Sequence, residues 1–360
     1  MENVKELKYR KFLLAFLILD IIAFSILAFS YFVRSGENDT EKYEDAELVF
    51  RDFSDTKVIP SGEPVGIYLK TDGVMVVDTG EVENQQGELC SPCEGIIKTG
   101  DYITKINDVE VNSKSELMEE LSECKSELVD ITFIRDDVEN TVQIEAAETN
   151  GTYKLGLWIK DDISGIGTVT FICGNDFMAL GHSVSDNDTG LMIRSSGGGI
   201  YTTHITRINK SFVASPGQLQ GTILYKKDLI GIIEGNYSNG IAGYLDEDYI
   251  EENYDESEAM YIADSDEVRA GTAYIYSRLE GTLKKYEIEI EKVNYDAENK
   301  NLEFRVVDED LISLTGGVCQ GMSGSPIVQD GKLIGAVTHV IVDDPTSGYG
   351  VFIENMLGYE

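Results

Sequence analysis

Gly317-Val318-Cys319-Gln320-Gly321-Met322-Ser323-Gly324-Ser325-Pro326 places a serine between Gly321 and Gly324, with proline three residues beyond it. A nucleophilic serine needs a tight turn with few side chains, so that its hydroxyl protrudes and nearby backbone N–H groups can hold an oxyanion. The stretch is not the strand-to-helix elbow G-x-S-x-G, because position 325 is serine where that motif requires glycine. The plainer reading is a glycine-rich β-turn whose serine has no chemical task.

Histidine weighs on that choice, because a serine nucleophile of this kind needs an imidazole base. Only His182, His204 and His339 are available. His182 ends the apolar run Phe177-Met178-Ala179-Leu180-Gly181-His182, which suits a ring held at a strand end and facing a cleft. His204, in Tyr201-Thr202-Thr203-His204-Ile205, alternates like a half-buried strand and reads as structural. His339 follows the strand-like Leu333–Thr338 and reads as a core or supporting residue. His182 is the expected base.

G-x-S-G-x-P is also the pattern of chymotrypsin-like serine peptidases. Beyond it, Ala179–His182, Thr315–Ile327 and Gly331–Val340, continuing through Asp344–Gly350, resemble the stage IV sporulation protein B (SpoIVB) family of signalling serine peptidases. The resemblance spans nearly the whole chain. It implies that His182 and Ser323 are catalytic, with Asp308 as the third member of the triad. By analogy, the N–H groups of Gly321 and Ser323 form the oxyanion hole. Asp308 stands 15 residues before Ser323, much closer than in chymotrypsin-like enzymes, so His–Asp–Ser order is kept while spacing is not. Asp310, Asp186 and Asp188 are the other carboxylates near the motifs, each more simply a solvated surface group in so acidic a chain.

Upstream, Ser61–Leu69 and Gly73–Val77 read as two strands. Gly95–Asn107, followed by Asp108-Val109-Glu110-Val111, is similar to the PDZ core signature of bacterial peptidases. Ser113 to Cys124 reads as a helix: Ser113 can cap it, Glu116 has the capping-box offset, and Leu117 and Leu121 are four apart. PDZ domains bind extended peptides as an added strand. The expected groove lies between that helix and Val65, Gly66, Ile67, Tyr68 and Leu69. Residues 35–60 read as a polar linker, 61–147 as the PDZ-like domain and 151–360 as the peptidase.

Phe12 to Val33 is an apolar run of 22 residues preceded by Lys5, Lys8, Arg10 and Lys11, long enough for a bilayer core of roughly 30 Å. The expectation is a transmembrane signal-anchor over residues 12–33, the N-terminus in the cytoplasm and residues 35–360 outside. By resemblance the membrane is that of the forespore, facing the intermembrane space. The expected fold is therefore mainly β: an N-terminal transmembrane helix, a PDZ-like α/β domain, then a chymotrypsin-like β-barrel peptidase domain.

Net charge is −36, which repels nucleic acid and anionic lipid headgroups. Eight carboxylates crowd Asp246–Glu258, most simply a solvated loop. No dinucleotide, Walker or H-E-x-x-H motif occurs, so no cofactor or metal is expected. Cys90 and Cys93 read as a local bridge or two free thiols, and Cys319 as a thiol near the serine. The resemblance implies an anchored serine endopeptidase that cleaves a membrane-associated regulator, and itself, to trigger sigma-K activation. Alternatives are a PDZ-containing quality-control peptidase and a non-catalytic PDZ scaffold.

Overall fold

The computed structural model describes residues 56–223, 225 and 227–358. The chain runs through β1 (Pro64–Thr79), β2 (Tyr102–Ile106), helix α1 (Lys114–Glu123), β3 (Leu128–Arg135) and β4 (Val138–Glu145). It continues with β5 (Leu157–Cys173), β6 (Asp176–Ala179), β7 (Ser195–Asn209), β8 (Gly217–Ile223), β9 (Leu229–Tyr237), β10 (Gly240–Leu245) and α2 (Glu247–Asn253). The last third holds β11 (Gly271–Ser277), β12 (Lys284–Val293), β13 (Leu302–Val306), α3 (Glu309–Thr315), β14 (Cys319–Gln320), β15 (Pro326–Gln329), β16 (Lys332–Ile341), β17 (Asp344–Phe352) and α4 (Ile353–Leu357).

The fold is mainly β, with a PDZ-like layer and two rings of strands. In the first ring β5, β6, β10, β9, β7 and β1 pair in that order, and the β1–β5 pairing closes it. Its interior is apolar: Val65, Ile67, Leu69, Val169, Phe177, Ile200, Ile233 and Ile241 are buried together. The second ring is a closed barrel of β11, β12, β13, β17, β16 and β15. Strict alternation in β12 sends Tyr286, Ile288 and Ile290 inward, against Phe304, Ile327 and Val337. Each such side chain contributes about 1.5–3 kcal/mol by leaving water.

β1 and β5 do double duty. From Pro64 to Thr71, β1 lies between β5 and β7 in the first barrel. From Val74 it leaves β7 for β2, while β5 stays beside it at Met75–Thr79. The change of partner falls at Gly73, whose φ is +92°. A Cβ there would lie 2.7 Å from the Ile103 carbonyl, so only glycine permits the crossing. The two strands expected at Ser61–Leu69 and Gly73–Val77 are thus one. Around the second half of β1, Leu117 and Leu121 of α1 pack on Val74, Ile103, Ile131, Phe133 and Ile144. Ser113 caps α1 by accepting from the Glu116 N–H, and Glu116 reaches back to accept from the Asn112 N–H.

The transmembrane helix expected over Phe12–Val33 is corrected here. No helix among the described residues is long and apolar enough to cross a membrane, and residues 12–33 lie outside the described residues. α1, at ten residues, is about 15 Å long, half of what a bilayer core requires. An apolar run supplies the length for a span without by itself establishing one.

Candidate active site

Ser323 sits on the turn that links β14 to β15. Met322 is buried in the second barrel's core, which leaves Ser323 half-buried on the opposite side of the turn. Gly321 and Gly324 have φ of +98° and +96°, a region that a side chain makes costly. Gly324 is also required by space: a Cβ would lie 2.0 Å from the Thr168 carbonyl and 2.5 Å from the Leu180 nitrogen. The Ser323 hydroxyl donates to the Thr338 carbonyl at 2.8 Å. Among the described hydrogen bonds, neither the Gly321 nor the Ser323 N–H has an acceptor, so both remain free to meet an oxyanion.

His182 comes from the first barrel. β6 ends at Ala179, and Leu180 and Gly181 both take positive φ, +76° and +71°. A left-handed leucine stores strain of order 1–3 kcal/mol. Here the buried Leu180 side chain in the first core and its N–H on the Thr168 carbonyl hold it. The double reversal turns His182 out of the strand towards the second barrel. A Cβ on Gly181 would lie 3.0 Å from the Thr338 methyl, so the histidine turn rests on the residue whose carbonyl holds Ser323.

The half-buried His182 places Nδ1 2.8 Å from the Ser183 carbonyl. A carbonyl only accepts, so Nδ1 carries the proton and Nε2 keeps its lone pair. That is the tautomer a general base requires. Burial lowers the His182 pKa, with the Ser183 carbonyl opposing the shift, so the ring is neutral at pH 7. The His339 ring lies beside it, centroids 5.2 Å apart. Desolvation, then the His182 and Lys300 charges, push His339 down to about 4. His339, expected from the sequence to be a core or supporting residue, lies inside β16 with its ring beside that of His182.

Asp308 is placed elsewhere in role. It is the N-cap of α3, where Oδ1 accepts from the Asp310 and Leu311 N–H groups and Oδ2 from the Glu287 N–H. No described hydrogen bond joins it to His182, whose Nδ1 is occupied by Ser183. Asp310 is exposed on the same helix. Asp186 is buried and, with Asp188, grips Lys160 of β5.

The expected peptide groove at Val65–Leu69 also needs correction. Val65, Gly66, Ile67, Tyr68 and Leu69 pair with Gly167–Ile163 on one side and Thr202–Gly198 on the other. A strand hydrogen-bonded along both edges cannot accept a third. Cys319 is buried and its thiol is pushed up to about 12 by burial, so it is neither ionised nor exposed beside Ser323. Cys90 and Cys93 are free thiols.

Comparison with known proteins agrees with these features. A family model described as SpoIVB peptidase S55 matches residues 151–357, and a PDZ domain model matches residues 66–146. None of the curated proteins matches the chain. Among solved structures, the chain is similar to the PDZ domain of an SdrC-like protein from Listeria monocytogenes. Identity is 22%, over 24% of this chain and 87% of that one, with a TM-score of 0.19. With the S55 match covering more than half of its length, the chain belongs to the SpoIVB peptidase S55 family and is a serine peptidase carrying a PDZ domain.

Proposed function

We propose that Ser323 is the nucleophile and His182 the general base of a signalling endopeptidase. The observation that carries this reading is the meeting of the two turns on one residue: Thr338 accepts the Ser323 hydroxyl and supports the Gly181–His182 turn. In the reaction the Ser323 hydroxyl swings from the Thr338 carbonyl to Nε2 of His182. His182 takes its proton as Oγ bonds to the substrate carbonyl carbon. The resulting oxyanion is held by the N–H groups of Gly321 and Ser323. His182 then gives the proton to the leaving amine as the C–N bond breaks. A water, deprotonated by the same ring, releases the acyl group and restores Ser323.

β16 pairs with β15 as far as Ala336 and with β17 on its other side, and Val337 carries the bonding on to Ser325 and Gly324. Thr338 is buried with its carbonyl on the Ser323 hydroxyl, and the strand becomes exposed at His339; that exposed end, beside Ser323, is where an extended substrate lies. In the PDZ-like layer, the leading half of β5 pairs, among the described residues, with β1 alone. That edge, rather than Val65–Leu69, is where a peptide ligand adds. Family membership supports a sporulation role in which the substrates are a membrane-associated regulator upstream of sigma-K activation and the enzyme itself.

Intact-mass measurement over time on the purified protein, with and without the regulator, tests the reading. Wild type yields discrete fragments, while Ser323→Ala and His182→Ala lose about 10⁶-fold in rate. Cleavage by either variant at a rate near wild type would overturn it.

A further inference from the structure

We infer that Thr168, near the middle of β5, is a positioning residue for the oxyanion-binding turn, an inference that rests on Ser323 being the nucleophile. Thr168 is 2% exposed, and each of its polar groups is committed to the site. Its N–H donates to the Ser323 carbonyl at 2.9 Å, and its carbonyl accepts from Leu180 N–H at 3.2 Å. Its hydroxyl donates to the Gly321 carbonyl at 2.7 Å. One residue thus binds the serine turn at two points and the histidine turn at a third.

The hydroxyl contact bears most directly on catalysis. Gly321 has φ of +98° and no side chain to restrict it, so its peptide planes are free to rotate unless they are held. On the N-terminal side, Gln320 is paired with Gln218 of β8, which holds the peptide that carries the Gly321 N–H. On the C-terminal side, the described bond to the Gly321 carbonyl comes from Thr168. Fixing both sides aims the Gly321 N–H before any oxyanion forms, and such preorganised donors are effective because they need not reorient during reaction. Threonine suits the task because its β-branch leaves few χ1 choices in a strand.

The same strand carries the effect outwards. Lys160, eight residues earlier on β5, holds Asp186 and Asp188 in the loop after His182. The Leu157–Lys160 end pairs with the PDZ-like half of β1. β5 therefore links the PDZ-like layer, the histidine loop and the oxyanion turn in one uninterrupted strand.

A fluorophosphonate that phosphonylates serine, displacing fluoride, reads this without a known substrate. Its phosphoryl oxygen occupies the oxyanion position. Labelling is measured on the full chain as the maximal inactivation rate and the half-saturating concentration, beside urea unfolding midpoints. Thr168→Val keeps shape and strand preference but removes the hydroxyl. The expected result is a 10- to 100-fold lower maximal rate with the half-saturating concentration within about threefold, somewhat less than removing an oxyanion donor outright. Thr168→Ser is expected to recover to within about threefold of wild type. If Thr168→Val does not fold, Thr168→Ser against Thr168→Ala makes the same comparison.

A Thr168→Val rate equal to wild type would overturn the inference, as would Ser and Ala variants equally slow and tracking their unfolding midpoints. Wild type that is not labelled at Ser323, or Ser323→Ala labelled as fast as wild type, would instead overturn the nucleophile assignment.

Discussion

The two barrels contribute six strands each, yet they are drawn from the chain in opposite ways. The second takes every strand from Gly271–Phe352, and most neighbours in its wall are neighbours in sequence. The first closes only when Ile67 meets Gly165, with the whole PDZ-like layer inserted between them. Ser323 belongs to the locally built barrel and His182 to the one that depends on distant pairing. The site therefore exists only after the costlier loop closure has been completed. It also follows that the PDZ-like layer and the histidine half share β1 and β5, whereas the serine half shares no strand with that layer.

The largest expected effect comes from disturbing the joint between the barrels. Gly324→Ala would force a Cβ onto the Thr168 carbonyl and Leu180 nitrogen at a positive φ. It should cost at least about 3 kcal/mol and abolish activity. Trp158, the single tryptophan, lies on β5 and reports the first barrel and PDZ-like layer. In urea, wild-type fluorescence and far-ultraviolet circular dichroism should fall together, and in Gly324→Ala they should separate. Coincident, unshifted transitions in the variant would show that the barrels are not joined at this point.

A smaller effect is expected from acid. His182 and His339 both have lowered pKa values, so the unfolded chain binds protons that the folded one resists. Stability from this source is complete above the ordinary histidine value of about 6.5 and is lost as pH falls towards about 4, the value for His339. Asp176 and Glu234, raised by burial, act in the opposite sense. The histidine share is therefore read by comparing wild type with His182→Gln and His339→Gln. Each substitution should reduce the drop in urea midpoint between pH 7.5 and pH 5. An unchanged drop would mean that the paired rings do not resist protonation.

The smallest effect is predicted for Asp308→Asn. Asparagine keeps the helix cap but cannot also accept from the Glu287 N–H, so stability should fall by no more than about 1 kcal/mol. Fluorophosphonate labelling should remain within about threefold of wild type. A loss near 10⁴-fold, as expected when a triad aspartate is neutralised, would show instead that Asp308 reaches His182. The second barrel would then supply two catalytic groups rather than one.

Much of the second barrel was readable from local pattern. Lys285–Glu291 alternates polar and apolar in sequence, and β12 buries Tyr286, Ile288 and Ile290 in step with that period, and the glycines around Ser323 do form the tight turn that their spacing suggests. The α1 helix and its Ser113 cap were likewise local features. The first barrel was less readable. Val65–Leu69 has the same apolar pattern whether its edge is open to a ligand or closed by β5 and β7. The acidic run at Asp246–Glu258 hid α2: Tyr249, Ile250 and Tyr254 pack on the first core. Both tyrosine hydroxyls donate to Glu63. Asp308 precedes a helix that its own side chain caps, a local explanation that competes with any catalytic one.

Sequence alone determined the chemistry on offer: a serine in a glycine turn, few histidines, a capped helix, and strands whose period of two sets their facing. These depend on contacts within a few residues, where covalent geometry and side-chain alternation leave little choice. Tertiary structure decided which distant edges are closed and that the Ser323 hydroxyl and the Gly181–His182 turn meet at Thr338. It also decided that Thr168 binds both turns of the site. Those outcomes depend on pairings between residues far apart in the chain, and a strand's own residues do not specify its neighbour.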